Sequence, residues 1–81
     1  MMEVKEILRN YLKEEFEIED DPDFTDDAHL FDMGFLDSLG ATQVILFIEE
    51  EFNIEITQKD LILHPMNTVD EITLVIEEKL N

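Results

Sequence analysis

Apolar residues recur every three or four positions at the start of the chain. Val4, Ile7, Leu8, Tyr11, Leu12 and Phe16 alternate with Lys5, Glu6, Arg9, Lys13 and Glu14. That spacing belongs to an amphipathic helix, predicted here over about residues 3–16. From 17 to 37 the period breaks. Asp20, Asp21, Pro22, Asp23, Thr25, Asp26 and Asp27 are cap and turn formers, punctuated by Phe24, Leu30, Phe31, Met33, Phe35 and Leu36. Connections this long are uncommon inside a small domain and are usually functional. The interleaved apolar residues predict a loop pinned onto the core, with one helical turn near Ala28 to Asp32.

A second helix is predicted from Asp37 or Ser38, both good N-caps, to about Phe52. Val44, Phe47, Ile48 and Phe52 form its core stripe. At about 100° per residue, Ile45 falls at the margin of that stripe and Leu46 roughly opposite its centre, so Leu46 is predicted to be exposed. Thr57, with Asp60 three residues on, caps a short helix carrying Leu61, Ile62 and Leu63, which Pro65 stops. Thr68-Val69-Asp70-Glu71 fits a capping box, and the helix it opens carries Val69, Ile72, Ile76 and Leu80 on one face. Ile54-Glu55-Ile56 is a candidate for a short extended piece. Phe16, Phe31 and Phe52 are assigned to the core. The sum is an all-α fold, a small three-to-four-helix bundle with a long first loop, and residues 1–81 read as a single domain.

Charge changes the picture of what such a bundle can meet. The chain has 22 acidic residues against 5 basic ones, a net charge of −17. This opposes binding to nucleic acid and anionic membranes, and favours partners with basic surfaces, or cations. The same charge also serves solubility. There is no cysteine, which excludes disulfides, Cys-based zinc sites and a side-chain thiol nucleophile. Residues 1–16 read as a charged helix rather than a signal peptide, and no apolar run approaches the ~20 residues of a membrane span. The expected location is cytoplasmic.

Candidate chemistry centres on Gly34-Phe35-Leu36-Asp37-Ser38-Leu39-Gly40. The first N–H groups of a helix lack intrahelical partners and carry partial positive charge. A phosphate ester on Ser38 would lie where a helix N-terminus favours an anion. The plain alternative is that Ser38 or Asp37 caps the helix and does nothing more.

The stretch LFDMGFLDSLGATQVILFIEEEFNIEI, residues 30 to 56, resembles the acyl carrier protein family. The likeness runs through the acidic residue and Gly before a hydrophobic pair, Asp-Ser-Leu, an apolar helix, Glu-Glu, Phe and a short Ile-containing segment. The first helix, the long loop and the Thr68-Val69 opening also fall at that family's spacing. The resemblance implies a bundle of the acyl-carrier type that is not an enzyme. It implies 4′-phosphopantetheine, derived from coenzyme A, joined to Ser38 through a phosphodiester, with Asp37 flanking. The arm's thiol would hold an acyl or aminoacyl group as a thioester for partner enzymes. The implied partners are a phosphopantetheinyl transferase, a loading enzyme (adenylating or acyltransferase) with a basic docking patch, and downstream acyl-processing enzymes, met by a monomer. By the resemblance and the expected exposure of Leu46, the recognition face comprises Leu39, Leu46, Glu49, Glu50 and Ile56, and Phe35 and Leu36 frame the attachment site beside Leu39.

Departures from the fatty-acid pattern narrow the cargo. Gly40 stands where an acidic residue is common, Gln43 where Glu is common, and Phe47 where a small alanine is usual. Two recognition charges are therefore missing, and Phe47 is expected to fill space that would shelter a long acyl chain. Asp-Ser-Leu-Gly is similar to the Asp-Ser-Phe-Gly of D-alanyl and some free-standing aminoacyl carriers, which puts a dedicated pathway carrier at least level with a housekeeping fatty-acid one, while fatty-acid, polyketide and aminoacyl cargoes stay open. A different class is an acidic helical interaction module without a prosthetic group. Asp21, Asp23, Thr25 and Asp32 partly follow a calcium-loop spacing, but Asp26 replaces the turn glycine and Asp32 the bidentate Glu. His29 and His64 fit no metal or hydrolase motif, so no metal site is expected.

Overall fold

The computed structural model describes residues 3–18 and 21–80. Asp20, one of the predicted turn formers, lies outside them. Four helices follow in order: α1 (Val4–Glu15), α2 (Ser38–Phe52), α3 (Gln58–Leu63) and α4 (Val69–Leu80). Among the described residues there is no strand, and Ile54-Glu55-Ile56 belongs to the irregular connection between α2 and α3.

The helices form where periodicity and caps coincide. α1 buries Leu8 and Leu12, and packs most extensively against α4, which buries Val69, Ile72, Thr73, Val75 and Ile76. α2 buries Gly40, Val44 and Ile48 and also meets α4. Its left-handed cap, Asn53 (φ 54°), ends it where glycine or asparagine is favoured. The capping box at α3 is complete: Thr57 Oγ1 accepts from the Asp60 N–H, and the Asp60 carboxylate accepts from the Thr57 N–H. At α4 the Glu71 N–H donates to Thr68 Oγ1, but the Glu71 carboxylate accepts from the N–H of Asn67, one residue further out than the motif predicts.

The long loop is pinned as its composition predicts. Ile18, Phe24, Leu30 and Leu36 are buried, and Phe24 meets Phe35 edge to face with centroids 5.5 Å apart. The Leu30 N–H donates to the Asn67 carbonyl at 2.8 Å, and the Asp70 N–H to the Asp26 carbonyl at 3.0 Å. Arg9 Nη1 donates to Asp26 Oδ1 at 2.6 Å, and its guanidinium lies 4.6 Å from the Phe24 ring centroid. Lys5 reaches Asp70 at 2.6 Å and Asp26 at 3.8 Å. Near the helical turn expected at Ala28 to Asp32, the Met33 N–H donates to the His29 carbonyl at 2.9 Å, within a run of turns over 30–34.

Two packing expectations need correction. Phe31 is 37% exposed rather than in the core, because its turn projects from the loop after Leu30 turns inward. Leu80, the last residue of α4, is 49% exposed. Phe47, by contrast, is half-buried between α2 and α1, against the core. It stacks on Tyr11 of α1, with centroids 3.8 Å apart and planes within 8°. Phe16 and Phe52 are half-buried against the core.

Candidate functional site

The segment leading into α2 is built from short-range bonds. Gly34 takes φ +84°, a left-handed conformation that glycine adopts without the strain of a side chain. Its N–H donates to the Phe31 carbonyl, and the N–H groups of Phe35 and Leu36 both donate to the Leu30 carbonyl. Leu36 is buried and Phe35 half-buried, so the chain enters α2 from a fixed position.

The geometry divides the work of the Asp-Ser pair. Asp37 is the N-cap: its backbone is extended, and its carboxylate Oδ1 accepts from the Gly40 N–H at 2.7 Å. Its carbonyl accepts the first helical bond, from the Ala41 N–H. Ser38 is therefore the first helical residue, and it is exposed. The cap needs no hydroxyl from Ser38, which stands at the end of the helix where an anion is favoured. A phosphodiester fits there.

Beside it lies an apolar cleft of about 300 Å³ between α2, α3 and the start of α4. Leu36, Ala41, Val44, Ile45, Leu61 and Ile72 contribute to its walls, and His64, Met66 and Asn67 border it. Ala41 and Ile45 follow Ser38 at three and seven positions, on the same helix face. Phe47 is not among the lining residues. The expectation that Phe47 fills space which would shelter a cargo therefore concerns the seam between α2 and α1, not this cleft. The cleft was not read from the sequence, where its one local signal was small Ala41 one turn before Ile45.

The recognition residues separate. Leu39 is 69% exposed and Leu46 53% exposed, and Glu50 is exposed as well. Glu49 is half-buried, and its Oε2 accepts from the Ile56 N–H at 2.9 Å, tying the end of α2 to the approach to α3. Ile56 is only 9% exposed and belongs to the core cluster, which removes it from the outer face. Short side-chain contacts could not reveal this, because Ile56 is turned inward by the bond its own N–H makes to Glu49. Gly40 is buried rather than a surface position lacking a charge.

Lys79 Nζ lies 2.6 Å from Asp60 Oδ2, joining α4 to α3. That hydrogen bond, followed by those from the Thr57 N–H and hydroxyl, holds the Asp60 carboxyl well below the usual carboxylate range. His64 Nε2 lies 3.6 Å from Glu78, and His29 Nδ1 accepts from the Asp32 N–H at 3.2 Å. In the acidic loop, Asp21 Oδ1 accepts from the Asp23 N–H, and Thr25 Oγ1 donates to Asp27. Among the described residues no three His, Cys, Asp or Glu side chains gather as a metal site, and no helix is long and apolar enough to cross a membrane.

Over residues 6–76 the chain matches the family described as phosphopantetheine attachment site. A D-alanyl carrier protein of Streptococcus suis (strain 05ZYH33) is 37% identical over 71 residues, which is 88% of this chain and 87% of that protein. A D-alanyl carrier protein of Streptococcus pyogenes serotype M5 (strain Manfredo) is 40% identical over 52 residues, 64% of this chain and 66% of that one. No solved structure matches.

Proposed function

This chain belongs to the phosphopantetheine attachment-site family, and we propose that Ser38 is where its arm is joined and that the cargo is aminoacyl, D-alanine first among the candidates. As a member of that family it is a carrier and catalyses nothing. The observation that carries the assignment of Ser38 is the division of labour at the helix start. Asp37 supplies the cap, and Ser38 is left exposed beside the positive end of α2.

In the joining step the Ser38 oxygen forms a bond to the pantetheine-bearing phosphorus of coenzyme A. The pyrophosphate linkage breaks, adenosine 3′,5′-bisphosphate leaves, and the serine proton passes to a base on the transferase. Once attached, the arm supplies a terminal thiol that holds the cargo as a thioester. Ser38 would then anchor the phosphate at the positive end of α2, which favours its charge. Asp37 holds the turn rigid. Leu39, Leu46 and Glu50 are the surface offered to a transferase, a ligase that loads the amino acid, and the enzyme that takes it on. The acidity of the chain raises the on-rate for basic docking patches more than it tightens the complex. The reading extends to one cytoplasmic domain acting as a monomer, supported by a net charge of −17 that opposes self-association. The resemblance to two proteins named D-alanyl carrier protein supports D-alanine over fatty or polyketide groups.

Co-expression with a broad-specificity phosphopantetheinyl transferase, read by intact mass, tests the attachment. The wild type gains one arm and Ser38→Ala gains none; equal spectra for the two would end the assignment. Adenylating ligases with D-alanine, L-alanine and fatty acids, offered to the modified form, then separate the cargoes. Loading by a fatty acid in preference to D-alanine overturns the aminoacyl reading.

A further inference from the structure

We propose that Gly40 is a positioning residue for the modification of Ser38, acting through the Phe16 ring and the Asp37 cap; this rests on the reading of Ser38 above. Gly40 is buried in the first turn of α2, two residues after Ser38. Its backbone is helical, so no left-handed conformation calls for glycine. A glycine inside a helix is disfavoured relative to alanine. Its use here therefore points to space. A Cβ at Gly40 would lie 3.0 Å from Phe16 Cε1, 3.2 Å from Asp37 Oδ1 and 3.3 Å from Leu36 Cδ2. Those atoms belong to the end of α1, the cap of α2 and the end of the long loop. The bare Cα is the point where the segments framing Ser38 close on one another.

The consequence runs through the cap. The Asp37 carboxylate sits against the Gly40 N–H at 2.7 Å, on the side that a Cβ would crowd. An added methyl presses on the Phe16 ring, the carboxylate or both. When the carboxylate yields, the first turn loses its cap and Ser38 loses its fixed direction. Leu39, Leu46 and Glu50 remain available for docking, so the loss belongs in kcat and not in KM. Buried as it is, Gly40 itself offers no surface to coenzyme A or the transferase.

The test measures arm transfer to the purified chain, with coenzyme A and a purified broad-specificity transferase, followed by intact mass. Gly40→Ala is expected to lower kcat about ten-fold with KM for the carrier little changed, as misplacement of a reacting group does. Phe16→Leu withdraws the crowding ring edge, so the double variant Phe16→Leu/Gly40→Ala recovers most of the rate. Thermal melts establish that each variant is folded. Wild-type kcat in folded Gly40→Ala, a loss confined to KM, or no recovery in the double variant overturns the proposal. Where Gly40→Ala does not fold, Asp37→Ala takes its place, removing directly the cap that the added methyl is expected to displace. Lower kcat at unchanged KM supports the proposal there, and unchanged kcat overturns it. A wild-type chain that gains no mass overturns the Ser38 assignment and this proposal together. Modification of wild type at Ser38, with Gly40→Ala equally fast, overturns this proposal alone.

Discussion

Thr73 lies on α4 with 5% of its surface exposed, and its hydroxyl is buried without a hydrogen-bond partner among the described residues. An unsatisfied buried hydroxyl carries a desolvation penalty that an isosteric methyl does not. Thr73→Val is therefore expected to stabilise the fold by about 1 kcal/mol, read as a higher urea midpoint at unchanged slope. A lower midpoint would mean that the hydroxyl finds a partner in solution. Thr73 also shows what periodicity misses: a polar letter between Ile72 and Val75 was passed over, yet it faces the core. Leu46 was legible because one helix fixes its direction. Phe31 and Ile56 were not, because loop side chains take their direction from bonds that have no period. Ser38 and Asp37 were both legible as caps, but only the geometry at the Gly40 N–H separates the cap from its neighbour.

At the scale of elements, the four helices and their starts followed from apolar spacing and cap residues, and the bounds agree within a residue or two. The capping boxes divide instructively. Thr57 and Asp60 close theirs, whereas Glu71 reaches past Thr68 to Asn67, a choice set by the path of the incoming loop. Asp60 also makes α3 sensitive to acid. Its folded-state pKa is depressed, chiefly by Lys79, so the unfolded chain takes up the proton first. The stability this contributes is complete above the ordinary carboxylate pKa of about 4 and is lost as pH falls through the folded value below it. Asp60→Asn should lower the melting temperature at pH 7, and the gap to wild type should narrow steadily below about pH 4. A gap that stays constant into acid would show that Lys79 contributes nothing in solution.

For the molecule as a whole, three of the five basic side chains are placed where acids crowd. Lys5 and Arg9 bind Asp26 and Asp70, and Lys79 binds Asp60. Salt therefore acts in two directions, weakening these pairs and screening the remaining repulsion. Exposed pairs contribute at most about 1 kcal/mol each, and acids outnumber bases 22 to 5, so screening wins. The melting temperature should rise between low salt and about 0.5 M sodium chloride, and at lower concentrations of Mg²⁺. A flat profile would mean the acids lie too far apart to repel. The long loop's function as a strap was legible from its apolar residues, but its pins were not. Arg9 finds Asp26 across seventeen positions of sequence, and only the fold brings those together.

The cleft beside Ser38 has walls of unequal firmness. α2 and α4 reach it with Val44 and Ile72, both anchored in the core. α3 reaches it with Leu61, from a six-residue helix none of whose side chains is buried. That wall is held by its capping box and by the clasp of Lys79 on Asp60, not by packing. Close-packed interiors resist deformation, while a helix resting on polar contacts yields at little cost. The compartment is thus stiff on two sides and compliant on the third. Its capacity is an elastic property, set by how far α3 can lean outward before the clasp parts.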